Sequence, residues 1–262
     1  MGEINKKKTV LITGASTGIG YELTKLFARD NYNLVLVARS KEKLDIISEE
    51  LLKSYGSKVK VIAKDLSIVS SPKEVFDEIR DSDIRIDVLV NNAGAGTTGL
   101  FHEIDYEKDL EIIQLNITAL TSLTKLFSRE MIKFRKGKIL NVASTGSYQP
   151  GPYIAVYYAT KAYVLSFSQA IRNELRDFGI TVTTVCPGAT RTEFSKRAGK
   201  KDLKNAMNAR VVARAAYLGM NKNKDVVIPG FINKVAIFSS KLLPGSISAN
   251  IVRKIQSSLL HK

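Results

Sequence analysis

The sequence predicts an α/β fold: a single-domain, doubly wound parallel sheet with helices on both faces. Three observations predict it. Short β-branched runs alternate with longer stretches of helical period. Several of those runs are apolar throughout, as at Leu34, Val35, Leu36 and Val37, so both faces of the sheet need cover. A glycine-rich turn at 13–20 directly follows the first run, where a strand would hand over to a helix.

The elements follow in order. Val10, Leu11 and Ile12 place a first strand over 9–12, and helical spacing after the turn spans about 18–29. A strand over 33–38 leads to a helix over 41–55, then to strand 59–63 and helix 72–81. Runs at 88–90, 138–142 and 181–185 read as further strands, separated by helical stretches near 107–134 and 155–178. The last candidate strand is 226–228. Such strand–helix–strand units connect right-handedly. No linker rich in Pro, Gly or Ser divides the chain, so 1–230 is expected to form one domain, followed by an amphipathic C-terminal extension at 231–262.

At 262 residues, 44% of them hydrophobic and 25% charged, the chain can bury a core and is not of the disordered type. One cysteine, Cys186, cannot form an intrachain disulfide, and with only His102 and His261 beside it no metal site is expected. No apolar run approaches the ~18 residues that span a bilayer. The run after Lys6, Lys7 and Lys8 stops at Thr13, short of the roughly 7–15 apolar residues of a signal peptide. A cytoplasmic enzyme is the favoured class. Lys and Arg outnumber Asp and Glu by 40 to 25, but the lysines are spread in separate clusters, so no nucleic-acid partner is expected.

Gly14, Gly18 and Gly20 stand in a GxxxGxG spacing, which differs from the GxGxxG dinucleotide fingerprint. The turn is either a bare tight loop or a cradle in which backbone and helix N-terminus meet a pyrophosphate. Its place between a strand and a helix favours the cradle. The second strand ends in Ala38 and Arg39, with no Asp or Glu to bond a ribose 2′-hydroxyl. Arg39 is either a solvated strand-end residue or a fork for a 2′-phosphate, and the missing acid points to NADP(H).

Tyr157 and Lys161 are four apart in a helical segment and so share a face. A phenol near pKa 10 needs help to exchange protons at neutral pH, and a neighbouring ammonium favours the tyrosinate; a drop of ~3 units takes about 4 kcal/mol. Ser144, just past the strand 138–142, can donate a hydrogen bond to the same substrate oxygen. Tyr158 lacks the four-residue spacing to Lys161. Cys186 reads as a small buried hydrophobe and His102 as a loop residue.

These residues do not stand alone. TGASTGIG (13–20), Asp65-Leu66, NNAG (91–94), Asn116, Ser144, YYATK (157–161) and PGATRT (187–192) follow one another as in the short-chain dehydrogenase/reductase family. Over roughly the first 230 residues the sequence closely resembles that family, in its bacterial NADP(H)-dependent form with a C-terminal amphipathic extension. The resemblance implies a Rossmann-fold catalytic domain that passes a hydride between NADP(H) and a carbonyl or secondary alcohol. Tyr157 would be the acid/base, Ser144 would orient the carbonyl, and Lys161 would lower the Tyr157 pKa and hold the nicotinamide ribose. Asn116 would kink its helix and hold a water in a proton relay. Gly14, Ser16, Thr17, Gly18, Ile19 and Gly20 would cradle the pyrophosphate, with Asp65 and Leu66 at the adenine. Asn91, Ala93 and Gly94 would line the cleft, and Pro187, Gly188, Thr190 and Thr192 its nicotinamide end. Helices 107–134 and 155–178 would carry the contacts of a homodimer or homotetramer. The alternative is an NADP(H)-sensing binding protein without turnover, which has no need of the full Asn116, Ser144, Tyr157 and Lys161 set.

By the same resemblance a lid near 189–206 covers the substrate. It carries Lys196, Arg197, Lys200, Lys201 and Lys204, which are either a solvated surface or a steering field for an anionic or lipid-like substrate. Further on, Ile247, Ile251, Ile255 and Leu259 recur every four residues as the apolar row of an amphipathic helix. That helix, with the apolar stretch 231–243, packs on the domain or a subunit, or makes peripheral membrane contact.

Overall fold

The computed structural model describes residues 7–201 and 205–260; Lys6, Lys204 and His261 lie outside them. Seven parallel strands form one sheet in the order β3-β2-β1-β4-β5-β6-β9. They are β1 Thr9–Thr13, β2 Asn33–Ala38, β3 Val59–Ala63, β4 Val88–Asn91, β5 Gly137–Val142, β6 Ile180–Val185 and β9 Val226–Val227. A separate two-residue pair, β7 Thr190–Arg191 and β8 Met207–Asn208, closes the base of the lid. The order reverses between β1 and β4, which opens a crevice at the carboxyl ends of those strands.

Helices cover both faces, as the unbroken apolar strands require. On one side α1 Gly18–Arg29, α2 Lys41–Tyr55 and α8 Ala209–Asn221 bury Leu23, Phe27, Leu44, Leu51 and Tyr217 against Ile12, Leu34 and Leu36. On the other, α3 Ser71–Asp81, α5 Leu120–Lys133 and α6 Ala155–Arg176 cover Leu11, Val35, Leu89 and Ile139. The stretch expected as one helix near 107–134 is interrupted: α4 Tyr106–Ile113 and α5 are joined by a π-helical turn, Gln114–Ala119, centred on Asn116. Such widened turns recur at functional sites.

The C-terminal segment forms two helices, α9 Phe231–Leu242 and α10 Gly245–Ser257. The face of α10 that packs on the domain is not the isoleucine row. Ser248, Val252 and Gln256 turn inward, while Ile247, Ile251 and Ile255 stay open to solvent and only Leu259 is buried. The inward polar groups find partners there: Ser248 Oγ donates to Gln149 Oε1 (3.3 Å) and Gln256 Nε2 to Tyr158 Oη (3.3 Å). No helix among the described residues is long and apolar enough to cross a membrane.

Candidate active site

The glycine turn runs from β1 into α1 at the open crevice. Gly14 and Gly18 take φ values of +63° and +57°, a region that favours glycine. A Cβ on Gly14 would lie 2.9 Å from Ala93 Cα, and one on Gly20 would strike the Gly14 carbonyl. A Cβ on Gly18 would lie 2.8 Å from the Thr192 methyl, so the two loops that bound the crevice approach closely here. Ser16 and Thr17 are half-buried in the turn, and Ile19 packs on the core. Thr17 stands at the N-cap of α1 but makes no side-chain cap, and the first turn holds no acid. The N–H groups and positive dipole end of α1 therefore fit an anion such as a pyrophosphate.

The NNAG segment is braced against that turn. Thr13 Oγ1 accepts from the backbone N–H groups of Asn92 and Ala93, each at 3.0 Å. Asn92 Nδ2 donates to Thr13 O (2.9 Å) and Gly14 O (3.1 Å). Asn91 instead turns into the sheet: its Nδ2 donates to Thr124 Oγ1 and Asn141 Oδ1, both at 2.9 Å. Gly94 lies against Asn116 and Lys161, since a Cβ there would be 3.2 Å from Asn116 Oδ1 and from Lys161 Nζ.

At the end of β2, Arg39 is largely exposed and its guanidinium lies 3.7 Å from Asp65 Oδ2. Asp65 Oδ1 holds the turn after β3 by accepting from Ser67 N (2.9 Å) and Ser67 Oγ (2.7 Å). Leu66 is buried in the core beneath.

The acid/base candidates converge where β5 and β6 end above α6. Lys161 is buried, and its ammonium donates to Val142 O (2.9 Å) and stands 5.8 Å from the centre of the Tyr157 ring. Burial pulls the Lys161 pKa down to about 8. Burial also pushes Tyr157 up to about 12, against a hydrogen bond with Ser144 that lowers it. The expected drop is therefore not supplied by Lys161: among the protein's own groups desolvation wins. Ser144 caps the 3₁₀ turn Thr145–Tyr148, its Oγ accepting from Gly146 N at 3.0 Å. Ser147 Oγ ties that turn to α6 by donating to Lys161 O (2.7 Å).

Asn116 reaches in from the π-turn. Its Nδ2 donates to Ala95 O and Thr160 Oγ1, both at 2.9 Å, and its Oδ1 accepts from Ala95 N at 3.0 Å. Tyr158, the neighbour of Tyr157, instead packs over Gly146 and Gly151 and meets Gln256. Cys186 is buried beside Tyr148, and burial raises its thiol to about 11, which leaves it inert. His102 is exposed.

Beyond β6, Pro187 O accepts from Thr145 N (2.8 Å) and Thr190 Oγ1 donates to Gly188 O (2.9 Å). Thr192 caps α7 Glu193–Arg197. Four residues missed by sequence reasoning act here. Thr160 and Asn92 brace the site through hydrogen bonds, and each had a signal, its place in YYATK or in NNAG. Phe194 of α7 packs on the Tyr157 ring, centroids 5.1 Å apart, as a cover. Asn233 of α9 presses on Gly188. Arg197 pairs with Glu193, which also meets Lys43 at 3.4 Å, so part of the lid's positive charge is matched.

A family model described as short chain dehydrogenase matches residues 8–203. The chain is 36% identical over 190 residues to "17-beta-hydroxysteroid dehydrogenase type 3" of Rattus norvegicus, which covers 71% of this chain and 61% of that protein. The chain thus spans about three fifths of the length of that relative. It is 31% identical over 256 residues to "Very-long-chain 3-oxoacyl-CoA reductase" of Anas platyrhynchos, covering 95% of this chain and 80% of that one. Among solved structures, a short-chain dehydrogenase from Sphingobium yanoikuyae in complex with NADPH superposes with a TM-score of 0.83 at 36% identity, over 90% of this chain and 93% of that chain.

Proposed function

Because the chain belongs to the short chain dehydrogenase family of oxidoreductases, we propose that it reduces a carbonyl compound, or oxidises the matching secondary alcohol, with NADP(H). The observation that carries this reading is the convergence of Ser144, Tyr157 and Lys161 beside a glycine turn shaped for a pyrophosphate. Gly14, Ser16, Thr17, Gly18, Ile19 and Gly20 hold that pyrophosphate, Arg39 the 2′-phosphate, and Asp65 and Leu66 the adenine. The backbone at Asn91, Ala93 and Gly94 lines the cleft, and Pro187, Gly188, Thr190 and Thr192 flank its nicotinamide end. The nicotinamide, when bound, supplies or accepts the hydride.

The chain's own residues handle the proton. In the reducing direction the Tyr157 phenol, kept protonated by burial, donates to the carbonyl oxygen as it gains charge. Ser144 donates a second hydrogen bond to that oxygen. Lys161, held by Val142 O, stabilises the tyrosinate left behind and positions the ribose. Asn116 opens its helix at the π-turn and holds a water in the relay that returns a proton to the Tyr157 oxygen. Phe194 shields Tyr157 from water.

The substrate in this reading is a carbonyl compound with an apolar, lipid-like body. Its anionic end is drawn by Lys196, Lys200 and Lys201 of the lid. The name of the Anas platyrhynchos relative, a very-long-chain 3-oxoacyl-CoA reductase, supports the lipid-like body. Leu110, Ile113 and Tyr163, exposed on α4 and α6, support a homodimer or homotetramer. NADPH oxidation across steroid ketones, 3-oxoacyl thioesters and small ketones tests the reading. Turnover with any of them supports it, and a chain that binds NADPH but turns over none would be a sensor instead.

A further inference from the structure

The two C-terminal helices carry an apolar face that no other element among the described residues covers. On α9, Phe231, Val235, Phe238 and Leu242 recur at helical spacing with Ile232 beside them, whereas Ile237 on the opposite side is buried. Phe231 and Ile232 are 79% and 78% exposed, Phe238 67% and Leu242 71%. After a two-residue link, α10 adds Ile247, Ile251 and Ile255. The charge around this face is of one sign. Residues 226–262 contain no Asp or Glu, in a chain that carries 25 of them elsewhere, but contain Lys234, Lys241, Arg253, Lys254 and Lys262. Among the described residues, none of Lys234, Lys241, Arg253 and Lys254 pairs with a carboxylate; Lys241 and Arg253 lie over the Tyr148 and Tyr153 rings.

From this juxtaposition we infer that α9 and α10 dock on an anionic lipid bilayer, with the apolar rows in the acyl boundary and the lysines at the headgroups. A second copy of the chain fits less well. A two-fold contact would set this acid-free surface against itself, like charge facing like charge. An anionic bilayer answers both the apolar area and the charge. The docked face is continuous with the substrate lid: Lys201 N donates to Leu259 O at 3.1 Å, and Lys200 bridges Leu260 in antiparallel fashion. Docking therefore brings the lid to the membrane surface, where a lipid-like carbonyl compound would be met. That consequence rests on the proposed activity, but the docking does not.

Co-sedimentation of the full chain with vesicles tests the docking without any turnover assay. Vesicles containing phosphatidylglycerol should bind at least about tenfold more tightly than pure phosphatidylcholine, and high salt should weaken that binding. The double variant F231E/F238E should lose it while keeping the wild-type melting temperature, since both side chains are exposed. Equal binding to both vesicle types, no binding to either, or binding retained by F231E/F238E would each overturn the inference. So would a wild-type oligomer that F231E/F238E dissociates in sedimentation velocity, which would assign the face to a second copy.

Discussion

Asn116 Nδ2 donates a 2.9 Å hydrogen bond to Thr160 Oγ1, and that hydroxyl donates in turn to the Tyr157 carbonyl at 2.8 Å. The widened turn between α4 and α5 is thereby fastened to the first turns of α6, one residue before Lys161. Both side chains are buried, so the contact has no water to fall back on. Thr160→Val keeps the shape and removes the hydroxyl, leaving one Asn116 N–H unpaired. Urea unfolding should show a loss of about 1–3 kcal/mol, and an unchanged midpoint would mean that the pair contributes nothing.

Cofactor choice is expected to follow Arg39. Its fork is free of backbone duties and lies beside a single carboxylate, Asp65. Arg39→Asp should weaken NADPH by roughly ten- to a hundredfold and improve NADH, as charge-assisted bonds to a 2′-phosphate give way to a ribose acceptor. Fluorescence titration of both nucleotides measures the ratio. A ratio that does not move would remove Arg39 from the selecting contact.

The buried lysine makes stability depend on pH. Lys161 has an ordinary value of 10.5 and is held down at about 8 in the folded chain. Between those values the unfolded chain binds more protons here than the folded one, so this residue makes stability rise with pH. Below about pH 8 the folded chain carries the full penalty, roughly 3 kcal/mol. Tyr157, pushed up to about 12, acts only above its ordinary 10 and with the opposite sign: its contribution fades between 10 and 12. Lys161→Met lacks the penalty and should be more stable than wild type near about pH 7, with the gap shrinking by about pH 9.5. Urea unfolding at both values checks this, and a gap independent of pH would contradict it.

The sheet was legible because its strands are short, apolar on both faces and separated by helical spacing. Asn33–Ala38, Lys41–Tyr55 and Val59–Ala63 have the bounds read from the sequence. The glycine turn was legible for a related reason, since the chain must turn there through positive φ. Contacts between distant segments were not. Nothing local to Phe194 says that it will lie on Tyr157, and nothing local to Asn233 says that it will press on Gly188. For α10 the apolar row at i, i+4 was legible but not the side that the domain covers, because the partner decides which side is buried. Here Gln149 and Tyr158 offered polar groups, so Ser248 and Gln256 turned inward. The direction of the Tyr157 shift was missed because spacing reports an ammonium nearby and says nothing of desolvation.

The account stands most directly on the Tyr157 oxygen. With a carbonyl compound that supports turnover, single-turnover NADPH oxidation by Tyr157→Phe should fall about 10²–10⁴-fold while NADPH affinity stays near that of the wild type. A Tyr157→Phe enzyme that transfers hydride within about tenfold of the wild-type rate would contradict it.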